Sequence, residues 1–170
     1  MAFINNGTTV ISFAEYQDVV DRDSRLFDTN ESLSEDVVEP LLERATERIL
    51  TKMRSTSWWV SYYAKRDNTN LTLNTAADIP TLDPERIKAR LNDFTDLCVY
   101  TALSEFILPK IADFGTEDNA ERQKMGYYTQ KSNSLFDELI SAGDWYDFDD
   151  SGTIASGEKS PGYSNLKRIR

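Results

Sequence analysis

The spacing of apolar residues constrains the fold of this chain more than any other feature of its sequence. Apolar side chains recur three or four positions apart, which is the period of an amphipathic helix and not the alternation of a half-buried strand. One such stripe runs from Val38 to Met53, and another runs from Ile87 to Phe106. The sequence therefore predicts an all-α fold: a small helical bundle of about four helices, with an N-terminal arm and an extended C-terminal tail.

Capping motifs indicate where these helices begin. Ser12 and Glu15 have the spacing of a capping box, which predicts a short helix over residues 13–20. Asp83 followed by Pro84 is typical of an N-cap and a first helical residue, so we expect the central core helix to begin there. At both starts, the capping side chain would accept hydrogen bonds from backbone amides that have no acceptor inside the helix.

The helix that carries the stripe ending at Met53 begins near a third capping motif, Ser32 to Glu35. Pro40 leaves two alternatives for this start. Either Pro40 lies in the first turn and Glu39 is the last non-helical residue, or Pro40 kinks a helix that begins at Glu35. The first alternative costs less, because the missing proline amide would have had no acceptor there.

The C-terminal part of the chain changes character near Gly143. A fourth helix is expected from about Ala120 to Ser141, with Gly143 as a left-handed cap. Beyond it no helical period continues, and glycine and proline interrupt the backbone. The predicted organisation is a helical domain with its arm over residues 1–143, followed by a tail over residues 144–170.

Composition excludes several classes of function. The 170 residues include no histidine and one cysteine, which removes Ser-His-Asp and Cys-His catalysis, histidine-ligated zinc and disulfide frameworks. Cys98 lies within an apolar stripe and is expected to be a small buried hydrophobic residue. We expect no enzymatic activity. No apolar run reaches about 18 residues and no secretory signal is expected at the start, so membrane association is not expected either.

Charge is distributed unevenly along the chain. The formal net charge is -10, yet the last twelve residues carry four basic side chains and no acid, so the first 158 residues carry -14. An acidic body is unsuited to binding nucleic acid broadly. The basic end, with Lys167, Arg168 and Arg170, is expected to contact an acidic partner surface, such as another copy of this chain.

Residues 147–158 carry the most specific motif in the sequence. They resemble an EF-hand calcium loop, with glycine at the sixth position and oxygen-bearing residues at positions one, three, five, seven and twelve. The expected ligands are Asp147, Asp149, Ser151, Thr153 and Glu158. The ion would be Ca²⁺ or another hard cation. The alternative interpretation is an acidic turn that leads into the tail without binding an ion.

A group of aromatic residues begins at Trp58 and Trp59 and extends to Tyr63. A base-stacking platform is one interpretation, but such platforms lie beside a positive groove, and only Lys65 and Arg66 are close in sequence. A core role or a contact with a partner subunit is favoured. The two tryptophans are accordingly candidate partner-binding residues.

The order of these elements resembles the head-tail connector proteins of tailed bacteriophages, also called adaptor or head-completion proteins. The resemblance covers about residues 12–143 and rests on a short helix opened by Ser-Phe-Ala-Glu, a helix after an acidic cap and a long helix opened by Asp83-Pro84-Glu85. It implies a structural protein of the virion neck, assembled in the host cytoplasm. It also implies a ring, commonly of twelve copies, that binds the portal protein and tail components while DNA passes through the channel without specific binding.

Two other functions remain as alternatives. The loop over residues 147–158 predicts a calcium-responsive helical binding module, in which the ion would control a partner interaction. A metal-dependent hydrolase using clustered carboxylates is the weakest hypothesis, because no spacing of the acids predicts a two-metal site.

Overall fold

A computed structural model describes residues 3–5, 7, 9–30, 32–65, 78–112 and 120–159 of the chain. The fold is mostly helical, which confirms the predicted class at that level. The helices are α1 (Tyr16–Arg22), α2 (Ser24–Thr29), α3 (Glu35–Arg54), α4 (Ser57–Lys65), α5 (Leu91–Ala102), α6 (Leu108–Ile111) and α7 (Ala120–Ala142). A π-helical segment, Leu103–Ile107, joins α5 to α6, and a 3-10 turn covers Pro84–Arg86. Two short antiparallel strands, β1 (Ile4–Asn5) and β2 (Val10–Ser12), precede the helices.

The chain divides into two compact units. Unit 1 comprises Met1–Ile49 and Arg90–Glu138, and unit 2 comprises Leu50–Ala89 and Leu139–Arg170. Each unit therefore combines two separate stretches of sequence, and the three divisions fall within α3, just before α5 and near the end of α7.

Unit 1 has a core of apolar side chains from α3, α5 and the residues before α1. Phe13 packs edge-on against Phe94 with ring centroids 5.4 Å apart. The Thr46 hydroxyl of α3 accepts a hydrogen bond from the Phe13 amide at 3.1 Å. Cys98 is fully buried here, as expected, and burial raises the pKa of its thiol to about 11. The apolar stripes of α3 and α5 thus became core faces, as their period predicts.

The start of α1 differs from the prediction. Ser12 is the last residue of β2, and its hydroxyl bonds locally to the backbone of Ala14. The N-cap is Glu15, whose backbone amide donates to the Asp18 carboxylate at 2.9 Å. The predicted capping box was wrong because Phe13 is buried in an extended segment.

Helix α3 begins at Glu35 and contains Pro40, so the less costly alternative for its start was wrong. Val38 is completely buried, and its amide donates to the Ser34 carbonyl at 3.0 Å. Starting the helix only after Glu39 would remove this bond and displace a core residue. Pro40 itself is exposed, so the Asp36 carbonyl that lacks a helical donor lies on a surface where water can satisfy it.

The predicted start of the central helix at Asp83 was also wrong. Asp83 caps only the short 3-10 turn, by accepting from the Glu85 amide at 3.0 Å. The Lys88 amide then donates to the Trp145 carbonyl at 2.9 Å, and the Asp147 amide donates to the Arg86 carbonyl at 2.9 Å. This pairing uses the Arg86 carbonyl and the Lys88 amide, so they are not available for the hydrogen bonds of an α-helix, and α5 begins at Leu91.

Other helix boundaries agree with the sequence interpretation. Helix α3 ends at Arg54, and the aromatic group lies on a separate helix, α4. Helix α7 ends at Ala142, and Gly143 has a φ of 56°, the left-handed cap that was predicted. Neither α2 nor the β1–β2 pairing was predicted from the sequence. Residues 66–82 are rich in Asn and Thr, which predicts a loop there, and most of them lie outside the described residues.

Candidate cation-binding loop

The loop over residues 147–158 belongs to unit 2 and starts directly after a buried segment. Ile87 and Tyr146 form an antiparallel bridge, and the Tyr146 hydroxyl accepts a hydrogen bond from the Asp83 amide at 3.1 Å. Trp145 is completely buried and donates its indole N–H to the Leu139 carbonyl at 2.8 Å. The entry to the loop is therefore held by backbone pairing on one side and by the end of α7 on the other.

The structure brings the three predicted acidic ligands together. Carboxylate oxygens of Asp147, Asp149 and Glu158 all lie within 4.8 Å of one another. Asp147 is 0 % exposed and Glu158 is 6 % exposed, whereas Asp149 is exposed. Two buried carboxylates and one exposed carboxylate thus converge in one loop.

Backbone amides hold these carboxylates in place. Asp147 accepts from the Ser151 amide at 3.2 Å and from the Gly152 amide at 2.7 Å. Asp149 accepts from the Ser151 amide at 3.1 Å, and hydrogen bonds from the side chain and backbone of Ser151 lower the pKa of this carboxyl group. These bonds fold the first half of the loop around its two aspartates.

Glu158 closes the loop from its other end. Its Oε1 accepts from the Phe148 amide at 2.7 Å and from the Asp149 amide at 3.0 Å. Its Oε2 accepts from the Ala155 amide at 2.7 Å. A single buried side chain thus satisfies three backbone donors.

The backbone turns sharply at the position where the motif requires glycine. Gly152 has a φ of 84°, a left-handed conformation that disfavours residues with a side chain. No heavy atom lies within 4 Å of the position that a Cβ would take there. Glycine is therefore favoured at this position by the backbone conformation and not by a lack of space. Asp150 also has a positive φ, 59°, which aspartate tolerates better than most residues.

The two predicted ligands without a carboxylate are close to each other on the exposed side of the loop. The Ser151 hydroxyl donates to the Thr153 carbonyl at 3.0 Å. The carbonyl is the group that the motif assigns to position seven, and the side chain of Thr153 is exposed.

The three carboxylates bring negative charge together in this loop. Among the residues that the structure describes, Asp147, Asp149 and Glu158 form no ion pair with lysine or arginine. The Arg86 guanidinium donates instead to the Phe148 carbonyl at 3.1 Å and to Asp150 at 3.2 Å. Burying carboxylates without an opposite charge is costly, and a bound cation removes that cost. The donor set of hard oxygens fits Ca²⁺.

Trp58 and Trp59, the candidate partner-binding residues, are enclosed within unit 2. They are 5 % and 0 % exposed, and the Trp59 indole N–H donates to the Pro80 carbonyl at 2.8 Å. Trp58 lies 4.6 Å from Trp145 between ring centroids. The two rings therefore have a core role in unit 2, one of the two interpretations favoured for them, and present almost no surface to a partner.

The aromatic cluster of unit 2 contains residues that the sequence analysis missed. Tyr62 stacks on Phe148 with ring centroids 3.7 Å apart and planes 16° from parallel. Trp145 and Tyr146 complete the cluster, and burial raises the pKa of the Tyr146 hydroxyl. The sequence signal for this cluster is three aromatic residues within four positions, Trp145, Tyr146 and Phe148, at the start of the acidic motif.

The predicted partner contacts at Lys167, Arg168 and Arg170 lie outside the described residues. No helix in the described part of the chain is long and apolar enough to cross a bilayer. Comparisons with models of protein families, with curated proteins and with solved structures found no match to the chain.

Proposed function

We propose that this chain is a structural virion protein of the head-tail connector type. In this proposal it forms a helical bundle with an extended C-terminal tail and assembles as a ring, of twelve copies, beneath the portal. The order of helices in the sequence supports the proposal: a short helix, a long helix after acidic residues, a central helix and a final long helix. The proposal rests on the order of the helices and not on the capping motifs. The motif at Ser12 does not cap α1, and the motif at Asp83 does not cap α5.

Charge supports the same proposal. An acidic body facing a channel would let DNA pass without binding, because the release of counterions that drives DNA binding is then unavailable. A basic tail would meet the acidic body of the next copy. Such a contact uses two different surfaces, and it closes into a ring when the rotation between copies permits.

The tail contact can be tested by neutralising the basic end. The variant Lys167→Gln, Arg168→Gln, Arg170→Gln should bind a portal ring or its own copies at least about tenfold more weakly in sedimentation, with a smaller salt dependence. A matched control neutralises three exposed bases elsewhere: Lys88→Gln, Lys110→Gln, Arg122→Gln. Equal assembly of the two triple variants would contradict the role of the tail.

We further propose that residues 147–158 bind one Ca²⁺ ion. Two carboxylates that are buried without a basic partner support this proposal. Asp147, Asp149 and Glu158 would hold the ion, with Ser151 and the Thr153 carbonyl as further oxygen ligands. The ion would supply positive charge and cross-link the two ends of the loop.

Calorimetric titration of the chelator-treated chain with Ca²⁺ tests this site. We expect one site per chain and at least about tenfold weaker binding in Asp149→Asn, because that substitution removes a charged ligand from an exposed position. Asp150→Asn is the matched control, since Asp150 lies in the same loop but bonds to Arg86. Absence of binding at millimolar Ca²⁺, or equal weakening in both variants, would contradict the site.

The same titration separates a structural ion from a calcium-responsive switch. A switch would change the circular dichroism of the whole chain on binding. An ion that only cross-links the loop would raise stability and leave the helical signal unchanged. We expect the second result, because carboxylate oxygens of Asp147, Asp149 and Glu158 already lie within 4.8 Å of one another.

A further inference from the structure

Both the backbone amide and the backbone carbonyl of Phe148 form hydrogen bonds with side chains. Its amide donates to Glu158 Oε1 at 2.7 Å, and its carbonyl accepts from Arg86 Nη1 at 3.1 Å. The two side chains come from positions 62 residues before and 10 residues after Phe148. They fix the orientation of the peptide units on either side of this one residue.

The ring of Phe148 lies between aromatic neighbours in unit 2. It stacks on Tyr62 at 3.7 Å and on Trp59 at 5.6 Å between centroids, with small interplanar angles in both cases. Stacked aromatic pairs of this kind contribute beyond the area they bury, but only while the rings keep their geometry. The orientation of the Phe148 backbone therefore decides whether the ring can stay in the cluster.

We infer that Glu158 and Arg86 form a clamp on Phe148, which keeps residues 147–158 closed over the aromatic cluster of unit 2 as a strap. Glu158 and Arg86 are positioning residues in this device. The clamp needs no ion, because the acceptors for the Phe148, Asp149 and Ala155 amides are the oxygens of Glu158 itself. The clamp shares Glu158 with the Ca²⁺ site proposed above, but its hydrogen bonds are formed by the chain alone.

The energetic basis of the clamp is the burial of Glu158. Hydrogen bonds to an ionised carboxylate are stronger than neutral ones, and this carboxylate is 6 % exposed. Removing it leaves three backbone donors without their acceptor near an aromatic core. Opening at Glu158 should therefore release Phe148 and the first half of the strap together.

Hydrogen exchange in the presence of a chelator tests the clamp. In Glu158→Ala the amides of Phe148 and Asp149 should exchange at least about tenfold faster than in the parent chain, while amides of α5 in unit 1 stay unchanged. The near-ultraviolet circular dichroism of the stacked rings should fall at the same time. Glu85→Ala, an exposed acid of the same unit, is the control and should change neither signal.

Two further variants keep the test decisive. Glu158→Gln retains one carbonyl acceptor and should give an intermediate exchange rate if Glu158→Ala unfolds unit 2. Arg86→Ala should also speed the exchange of the Phe148 amide, and the double variant should add little, because either loss opens the same strap. Unchanged exchange in the Glu158 variants, or independent and additive effects of Glu158 and Arg86, would overturn the clamp. A chelator that itself abolished the protection of Phe148 would also overturn it, and would assign closure to the cation.

Discussion

At the scale of single residues, the Asp23 carboxylate connects separate helices of unit 1. It lies between α1 and α2, and its carboxylate accepts from Lys124 at 2.7 Å and from the Tyr128 hydroxyl at 3.3 Å. Burial and the neighbouring Asp23 charge raise the pKa of Tyr128. One carboxylate thus joins the turn between two short helices to the side of α7.

We predict that Asp23→Ala lowers the free energy of unfolding by about 1–3 kcal/mol, because Lys124 and Tyr128 lose a largely buried acceptor. Urea denaturation measures the change. The matched control is Asp28→Ala, which removes an exposed aspartate from neighbouring α2 and should cost less than about 0.5 kcal/mol. Equal losses in the two variants would contradict the role of Asp23.

Cys98 gives a second prediction at this scale. Its thiol is fully buried, so a thiol reagent should modify the native chain only through unfolding, and modification in denaturant should be immediate. The pKa of the thiol is raised from 9.0 to about 11, so its contribution to stability is present below pH 9 and is lost as pH rises towards 11. Cys98→Ala should remove this part of the pH dependence in denaturant titrations. Rapid modification of the native chain at pH 8 would contradict the burial.

At the scale of elements, hydrophobic period identified the helices better than capping motifs identified their ends. The stripes that became α3 and α5 follow directly from spacing, because burying one face of a helix requires that period. The start at Asp83 failed because residues 86–88 pair with a segment about 60 residues away, a contact that no local pattern reports. The favoured start of α3 after Glu39 was wrong, because the cost of holding Pro40 inside the helix is smaller than the cost of losing buried Val38 from it.

Pro40 therefore offers a prediction for α3. Pro40→Ala should raise the free energy of unfolding by about 1–2 kcal/mol, because alanine restores a helical hydrogen bond at an exposed position, partly offset by a more flexible unfolded chain. Thermal unfolding measures the gain. Thr51→Ala, at another exposed position of α3, should gain less than about 0.7 kcal/mol. A loss of stability in Pro40→Ala would show that the proline is required for the shape of the helix.

At the scale of the whole molecule, the acidic residues of the candidate site could be predicted from the sequence, but the contacts that hold the loop in place could not. The ligand spacing placed Asp147, Asp149 and Glu158 together, and the structure agrees. The roles of Arg86 and Phe148 could not be predicted, because they depend on the pairing of distant segments in unit 2. The acidic body and basic end are visible in the sequence alone, since charge is a property of composition and order.

The most direct test of the connector role is the mass of the purified full chain, measured alone and after mixing with a portal ring from a tailed phage. The account predicts a closed oligomer of about twelve copies, formed by the chain alone or on the portal ring, and weakened by high salt. A chain that stays monomeric at every concentration and does not bind the portal ring would contradict it.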